Sequence, residues 1–428
     1  SPHPTRCGSL DRAEAGGEDG MVADVIALDA LIVGGGIAGL WSLDACVRRG
    51  HRVLLLEADA LGSGQTIDAQ GIIHGGLKYA LNGINTRSAS AIADMPLIWR
   101  RCLAGESEPN LSAVHLRADS CTIWHTTSVR SRLGWLAARL ALRVKPDLLE
   151  SEQRPEVFRT CPGTVARLNE QVVEPGSVLE VLGDHHQRRL LRITPGSGLE
   201  FDRKDDGALL VRLINPDTGE PLDLAPRTIV LCAGNGNAAL RDDLGLPPNV
   251  QQERPLHTPL IRGNLPIVNG HCVDGARTRI TITTTTDYAD RKVWQLGGQI
   301  AEDGVLMDAM TLVLHAANEL RAVLPGVNLD GCEYSTRHSV RAERSHHGRR
   351  PAGFGIIAED AVLTCWPTKM ALAPRLADAV VDHLGEPRYD GPLESAAIAT
   401  WPRPAVALPA WEIDQPWMTL EPASSPAP

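Results

Sequence analysis

Asp29-Ala-Leu-Ile-Val-Gly-Gly-Gly-Ile-Ala-Gly-Leu40, followed closely by His51-Arg-Val-Leu-Leu-Leu-Glu57, decides how the 428-residue chain folds. An apolar run from Ala30 to Val33 stops at three glycines, an apolar helix-like segment reaches Gly50, and a second apolar run ends in one acid. The order predicted is strand, tight turn, helix, strand. Gly34 can take the backbone angles of the turn, Gly36 lets the main chain approach a pyrophosphate, and Gly39 lets helix and strand pack closely. The helix N-terminus, at Ile37 and Ala38, then points free N–H groups at the phosphates. Glu57, with Ala58 behind it, falls about 20 residues beyond the glycines, where a carboxylate accepts hydrogen bonds from an adenosine ribose. A lone GxGxxG is weak evidence. Two strands, a helix and a correctly spaced acid around it make a dinucleotide site the expectation.

Working outward, the length is too great for one compact core and suits two intertwined domains. With 43% hydrophobic and 22% charged residues the composition is that of an ordinary globule, and the net charge of −10 opposes general nucleic-acid binding. Any anion site must therefore be local. The nine cysteines lie far apart with no C-x-x-C pair, several inside apolar runs, and read as buried thiols of a reducing compartment. Residues 1 to 20 lack the apolar core of a secretion signal and read as a disordered leader. No apolar run is long enough to span a bilayer. The expected location is the cytoplasm, with peripheral contact at the inner membrane left open.

After Glu57 the stretch Ala58-Asp-Ala-Leu-Gly-Ser-Gly-Gln-Thr-Ile-Asp-Ala-Gln-Gly-Ile-Ile-His-Gly-Gly-Leu-Lys-Tyr79 is dense in glycine, as a loop laid against a flat ligand must be. This block resembles the second flavin-contacting segment of the D-amino-acid oxidase-like FAD oxidoreductases. Its Ile-His-Gly-Gly-Leu-Lys-Tyr is most similar to the glycerol-3-phosphate dehydrogenase and L-2-hydroxyglutarate dehydrogenase branches. Three later stretches resemble further motifs of that superfamily in the same order. Asn169 to Leu182, with Pro175 opening a helix, is similar to the return of the chain to the FAD domain. Thr228-Ile-Val-Leu-Cys-Ala-Gly-Asn-Gly-Asn237 is similar to the strand whose end passes the cofactor. Ala361-Val-Leu-Thr-Cys-Trp-Pro-Thr-Lys-Met370, leading into a helix that ends at Leu384, is similar to the closing motif, where a helix N-terminus faces the flavin O2 and N1 edge and stabilises reduced flavin. The resemblance implies FAD as cofactor, bound by Gly34, Gly36, Ile37, Ala38, Gly39, Glu57, Ala58, Gly64, Gln65, Thr66, Gly71, His74, Gly75, Cys232, Ala233, Gly234, Thr368, Lys369 and Met370.

Elsewhere the periodicity predicts helices over 84–104, 130–144 and 308–324 and strands over 113–127, 190–199 and 208–214. Residues 255–299 are rich in β-branched side chains and read as a sheet roofing the flavin ring.

Four residues are expected to carry chemistry: His74, Arg341, Arg344 and Lys369. The segment Ser335 to Arg350 holds five arginines in an acidic chain, a cluster suited to bidentate capture of a carboxylate or phosphate, although a solvated basic loop would also hold them. Arg341 leads because Ser-Val-Arg-Ala-Glu resembles an arginine segment of the hydroxyglutarate branch, and Arg344 is second. His74 has three readings: a general base for a hydroxyl proton, a covalent flavin link as in related dimethylglycine dehydrogenases, or a structural histidine. Lys369 could place a cation at the flavin O2 edge, and His257 is a weaker base. Sarcosine-type oxidases use a roof lysine to activate oxygen, and Arg279 is the nearest match here, which puts oxidase activity in doubt. His338, His346 and His347 lack further ligands at metal spacing, so no metal is expected.

The expected fold is α/β with α+β character: a Rossmann-like FAD-binding domain with an interleaved β-sheet substrate or cap domain. The expected segments are a leader (1–27), FAD domain (28–112, 169–250 and 346–386), cap (113–168 and 251–345), and an irregular proline-rich tail (387–428). The expected enzyme is an FAD-dependent oxidoreductase that oxidises a small anionic 2-hydroxy acid or glycerol-phosphate-like substrate by hydride transfer to flavin N5, with oxygen, a quinone or a carrier protein as electron acceptor and no nucleic-acid partner. Amine or amino-acid oxidation of the glycine or sarcosine type is the alternative, and a flavoprotein acting on tRNA is the alternative from another class.

Overall fold

The computed structural model describes residues 25–76, 92–126, 146–204, 207–274, 277–389, 391, 393 and 395–420. The leader through residue 24, Lys78 and Tyr79 of the glycine-rich motif, and the helix expected over 130–144 lie outside the described residues.

Two sheets organise the rest. The first holds eight strands: β1 (Ile26–Val33), β2 (Val53–Glu57), β8 (Leu190–Arg192), β9 (Leu199–Arg203), β10 (Leu209–Ile214), β11 (Pro221–Leu231), β17 (Gly355–Glu359) and β18 (Val362–Trp366). Its path runs β17-β18-β11-β1-β2-β8, and the five strands from β18 to β8 are parallel. Buried on both faces, such strands read as unbroken apolar runs such as Ala30 to Val33 and Val53 to Leu56. Helix α1 (Ile37–Arg48) crosses from β1 to β2 and is buried at every position from Ile37 to Cys46. It ends where Gly50 takes φ 87°. The other helices of note are α2 (Met95–Leu103), α3 (Pro175–His185), α4 (Asn237–Asp243), α5 (Gln299–Asp303), α6 (Ala309–Val323) and α7 (Ala373–Leu384). Apolar faces of α1, α2, α3 and α7 share one core on this sheet.

The second sheet has nine strands: β4 (Cys121–His125), β5 (Asp147–Leu148), β6 (Val165–Leu168), β12 (Gln251–Gly263), β13 (Gly270–Asp274), β14 (Arg277–Thr286), β15 (Lys292–Gly297), β16 (Glu333–Arg344) and β19 (Met418–Thr419). Helix α6 covers it over a second core that includes Trp124, Trp294 and Tyr334. Asp308 caps α6, its Oδ1 accepting from the Thr311 N–H at 2.8 Å.

Several boundaries differ from the sequence expectations. The first strand starts at Ile26, inside the segment read as leader. The strand expected over 113–127 is two, β3 (Leu116–Ala118), which pairs with β7 (Val172–Val173), and β4 in the large sheet. The run 190–199 is likewise split between β8 and β9 by a turn. The arginine-rich segment is no loop: up to Arg344 it is strand β16, registered against β12 over its whole length. Lys369 does not open the closing helix, because a single 3₁₀ turn, Met370–Leu372, intervenes and α7 begins at Ala373. The proline-rich tail is partly built in, with Trp401 and Trp411 buried in two different cores and β19 added to the second sheet. Eight cysteines are described, all buried and none in a disulfide. Burial lifts the Cys46 thiol to about 12, so it is inert rather than reactive. No helix of the described residues is long and apolar enough to cross a membrane.

Candidate active site

The β1–α1 turn dictates the first wall. Gly34 sits at φ 111°, where a Cβ would meet the Ala233 backbone at 2.6 Å, and a Cβ on Gly39 would lie 1.9 Å from the Gly34 carbonyl oxygen. Only glycine fits at either position. Gly36 precedes α1 without a side-chain cap, and no acid stands in the first turn. The Ile37 N–H donates to the Thr66 hydroxyl at 3.2 Å. This helix end, positive by its dipole, opens on a cavity of about 310 Å³.

Gly36, Ile37, Ala38, Gln65, Thr66 and Gly71, all expected cofactor residues of the first two motifs, line that cavity. His74, Cys232, Gly234, Thr368, Lys369 and Met370 line it as well. Gly34 and Gly39 act behind the wall as packing residues, and Gly64, Ala58 and Gly75 do not border the cavity. Ala233 is also off the wall, its N–H donating to Asn237 Oδ1 at 2.8 Å. Glu57 is turned to the backbone: Oε2 accepts from the Gly35 N–H at 2.5 Å and Oε1 from the Asp59 N–H at 2.9 Å. Burial nevertheless raises its pKa, the three backbone N–H groups around it offsetting only part.

The second sheet supplies the facing wall. Thr258 of β12, Thr278 of β14, Gln295 and Gly297 of β15, and Arg341 of β16 all border the cavity. The loop after β2 is fastened to this roof. Gln70 Nε2 donates to the carbonyls of Thr281 (3.1 Å) and Gln295 (2.9 Å), and Gln295 Nε2 donates back to the Asp68 carbonyl at 2.7 Å. Strand alternation corrects three expectations. His257 is turned away between Leu256 and Thr258, its Nδ1 lying 3.1 Å from the Gly304 carbonyl and its ring stacked on His338 at 3.7 Å. Arg279 points to α6, where Glu319 takes its guanidinium at 2.5 and 3.0 Å. Arg344 is off the cavity and packs beside Gly355, while Arg350, six residues past the end of the expected pair, borders it.

Arg341 stands 3.8 Å from Glu302 Oε1, and both line the cavity. Lys369 Nζ donates to the Ala352 carbonyl at 3.1 Å. Burial, with the nearby Arg350 guanidinium, lowers its pKa to about 8, and Glu343 opposes this. Thr368 is strained: a β-branched residue at φ 62°, 3% exposed, with a hydroxyl oxygen that has no hydrogen-bond partner among the described residues. Glu170, which sequence reading passed over, stands beside the glycine-rich loop. Its Oε1 accepts from the Gly75 N–H at 2.6 Å, and its Oε2 lies 3.5 Å from His74 Nδ1. The only signal for it was its place in the Asn169 motif.

A dinucleotide fits these features. The uncapped helix end, a polar wall, a buried Thr368 hydroxyl with no partner among the described residues and a buried ammonium all border one space.

Comparison with known proteins agrees. A family model described as FAD dependent oxidoreductase matches residues 29–364. A probable FAD-dependent oxidoreductase of Pseudomonas aeruginosa, PA4991, is 37% identical over 400 residues, covering 91% of this chain and 98% of that one. Its crystal structure superposes with a TM-score of 0.75 over the same shares of the two chains, at 33% identity. Glycerol-3-phosphate dehydrogenase 1 of Mycobacterium tuberculosis is 33% identical over 141 residues, 32% of this chain and 26% of that protein. The L-alpha-glycerophosphate oxidase of Mycoplasma pneumoniae, solved with FAD bound, shares the fold at a TM-score of 0.58 and 12% identity, over 92% of this chain and all of the other.

Proposed function

The chain belongs to the FAD-dependent oxidoreductase family, and from that premise we propose that it oxidises a small anionic 2-hydroxy acid or glycerol-phosphate-like substrate at a C–H bond beside a hydroxyl. The observation that supports this reading is one cavity lined both by the dinucleotide helix end and by two guanidinium groups, Arg341 and Arg350. In an acidic chain, two guanidiniums in one cavity select for an anion, and their planar forks suit carboxylate or phosphate oxygens. The 141-residue likeness to a glycerol-3-phosphate dehydrogenase favours the same class.

FAD, when bound, supplies the two-electron acceptor. Residues 36–38, Gln65, Thr66, Thr368 and Lys369, which line the cavity, would hold it. The protein's own part is to orient and to move one proton. Arg341 holds the substrate's anionic end, with Glu302 limiting how far its side chain swings. His74 takes the hydroxyl proton. Its Nδ1 faces the Glu170 carboxylate, so Nε2 is the accepting atom. The roof strands and the Gln70–Gln295 fastening close the space over the reacting centre and limit water there.

The test is anaerobic bleaching of the yellow protein by 2-hydroxy acids, glycerol phosphates, N-methyl amino acids and D-amino acids. Bleaching by a member of the first two groups is expected. Bleaching by amines alone would transfer the assignment to amine oxidation, and bleaching by none together with binding to tRNA would remove the small-molecule reading.

A further inference from the structure

We propose that His74, Glu170 and His271 form a binding site for one divalent first-row metal ion of the Zn²⁺ class at the edge of the cavity. Each residue comes from a different part of the chain: the glycine-rich loop, the segment before α3, and strand β13. One ligand atom from each lies within 4.8 Å of the others. Glu170 is 3% exposed and His271 fully buried, so this is no surface gathering of acids.

The spacing is what points to a metal. His74 Nδ1 and Glu170 Oε2 are 3.5 Å apart, whereas a charge-assisted N–H···O bond closes to about 2.7–2.9 Å. Ligands about 2.0–2.1 Å from a tetrahedral zinc stand about 3.4 Å apart along the tetrahedron's edge. That separation is the observed one. The third ligand's atom lies within 4.8 Å of the other two, and a side-chain adjustment brings it to the same separation.

Two of the ligands already have the orienting partners that metal ligands carry. His271 Nδ1 is 2.8 Å from the Thr281 hydroxyl, which assigns Nε2 to the metal. Glu170 Oε1 is fixed by the Gly75 N–H, and Oε2 is the oxygen on the His74 side. The His74 and His271 rings face each other at 5.3 Å between centroids, tilted by 33°, the posture of two imidazoles that converge on one point. Two imidazoles and a carboxylate suit Zn²⁺ and its neighbours rather than Ca²⁺ or Mg²⁺, which prefer all-oxygen shells. Three protein ligands leave one position for water or an anionic oxygen. Because His74 borders the cavity, that position opens toward it.

The consequence, which rests on the proposed role of His74, is inhibition. With Nδ1 on the metal, the imidazole keeps its proton on Nε2 and cannot accept another. Metal occupancy and proton acceptance exclude each other, so the ion is a brake and not a participant.

The test reads the metal directly and does not depend on a substrate. Chelator-treated holoprotein is titrated with Zn²⁺ by calorimetry, and bound metal is counted after dialysis, with FAD content and melting temperature recorded for each variant. One Zn²⁺ per chain is expected, weakened at least 10-fold by H74A, E170Q or H271Q and also by the outer-shell change T281V. His383→Ala, on the exposed face of α7, leaves affinity unchanged. Binding of no zinc by folded wild type, or equal binding by wild type and the three ligand variants, overturns the proposal. Should H271Q fail to fold, H74A and E170Q decide. Bleaching by the substrate panel in a protein that binds no zinc would leave the oxidation reading intact and remove this one.

Discussion

Lys369 shows how one side chain can be placed at a cost to folding. Its ammonium is buried beside Arg350, and its folded pKa of about 8 lies below the ordinary value near 10.5. Between those two pH values the unfolded chain holds a proton that the folded chain has released, so stability rises with pH across that window. Below pH 8 the buried charge costs on the order of 3 kcal/mol. The FAD-free protein should therefore gain stability between pH 8 and 10, measured by urea unfolding, and Lys369→Met should be more stable at pH 7 and lack that gain. An identical slope in both proteins would show that Lys369 is not the source. Such a cost persists where a charge has work to do, and an anionic group in the cavity would relieve it. Thr368 next to it tells the same story in backbone form, since its φ of 62° costs about 1–3 kcal/mol. Thr368→Gly should raise the melting temperature while weakening FAD binding. Sequence reading reached both residues through the closing motif, but motif position alone could not say that either was strained.

At the scale of elements, β16 is where reading by hydrophobic pattern failed and why is clear. Glu-Tyr-Ser-Thr-Arg-His-Ser-Val-Arg-Ala-Glu-Arg has too few apolar residues to look like a strand of a buried sheet. Its neighbours are ions: Arg337 meets Asp68 at 3.3 Å, Arg341 meets Glu302, and the fully buried Glu343 takes the Arg254 guanidinium at 2.9 and 3.0 Å. Polarity here is matched by groups on strand β12, helix α5 and the loop after β2, and such matching cannot be read from one strand's letters. The glycine-rich elements were legible for the opposite reason. Gly34 and Gly39 answer to clashes within a few residues and with the neighbouring strand, so their spacing alone announces the turn. The cavity wall now separates the two arginines that sequence reading ranked first and second: Arg341 lines it and Arg344 does not. Arg341→Gln should raise KM for the proposed anionic substrate about 10- to 100-fold, the loss of one charged hydrogen-bonding group, with kcat changed less. Arg344→Gln should stay within about 2-fold of wild type. Equal effects from both in steady-state kinetics would mean the cavity extends beyond the wall described.

In the whole molecule, the cofactor space is a seam between two sheets whose contacts join residues more than 200 positions apart, such as Gln70 with Gln295. No local pattern encodes that pairing, which is why the sheet over 255–299 was foreseen as a roof but the contacts of Gln295 and Thr278 within it, and Glu302, Glu170 and His271, were not, whereas the order of the dinucleotide motifs was. A seam has a thermodynamic signature. A ligand that touches both walls stabilises the folded state by RT ln(1 + [L]/Kd), about 2.7 kcal/mol at a hundredfold excess over Kd. FAD-free protein should therefore melt several degrees below the reconstituted protein, and the two sheets should unfold together once FAD is bound. Gln70→Ala removes three contacts at the seam: two carbonyls lose their amide donor, and the filled space against Gly297, where a Cβ would already lie 2.2 Å from Gln70 Oε1, is emptied. The loss should be about 1–3 kcal/mol, and it should appear chiefly as faster FAD dissociation rather than as a lower melting point of the FAD-free chain, because the loop can move off the roof only when the seam opens. If Gln70→Ala lowers the melting temperature of both forms equally and leaves the FAD off-rate unchanged, the fastening belongs to the fold and not to the gate over the cofactor.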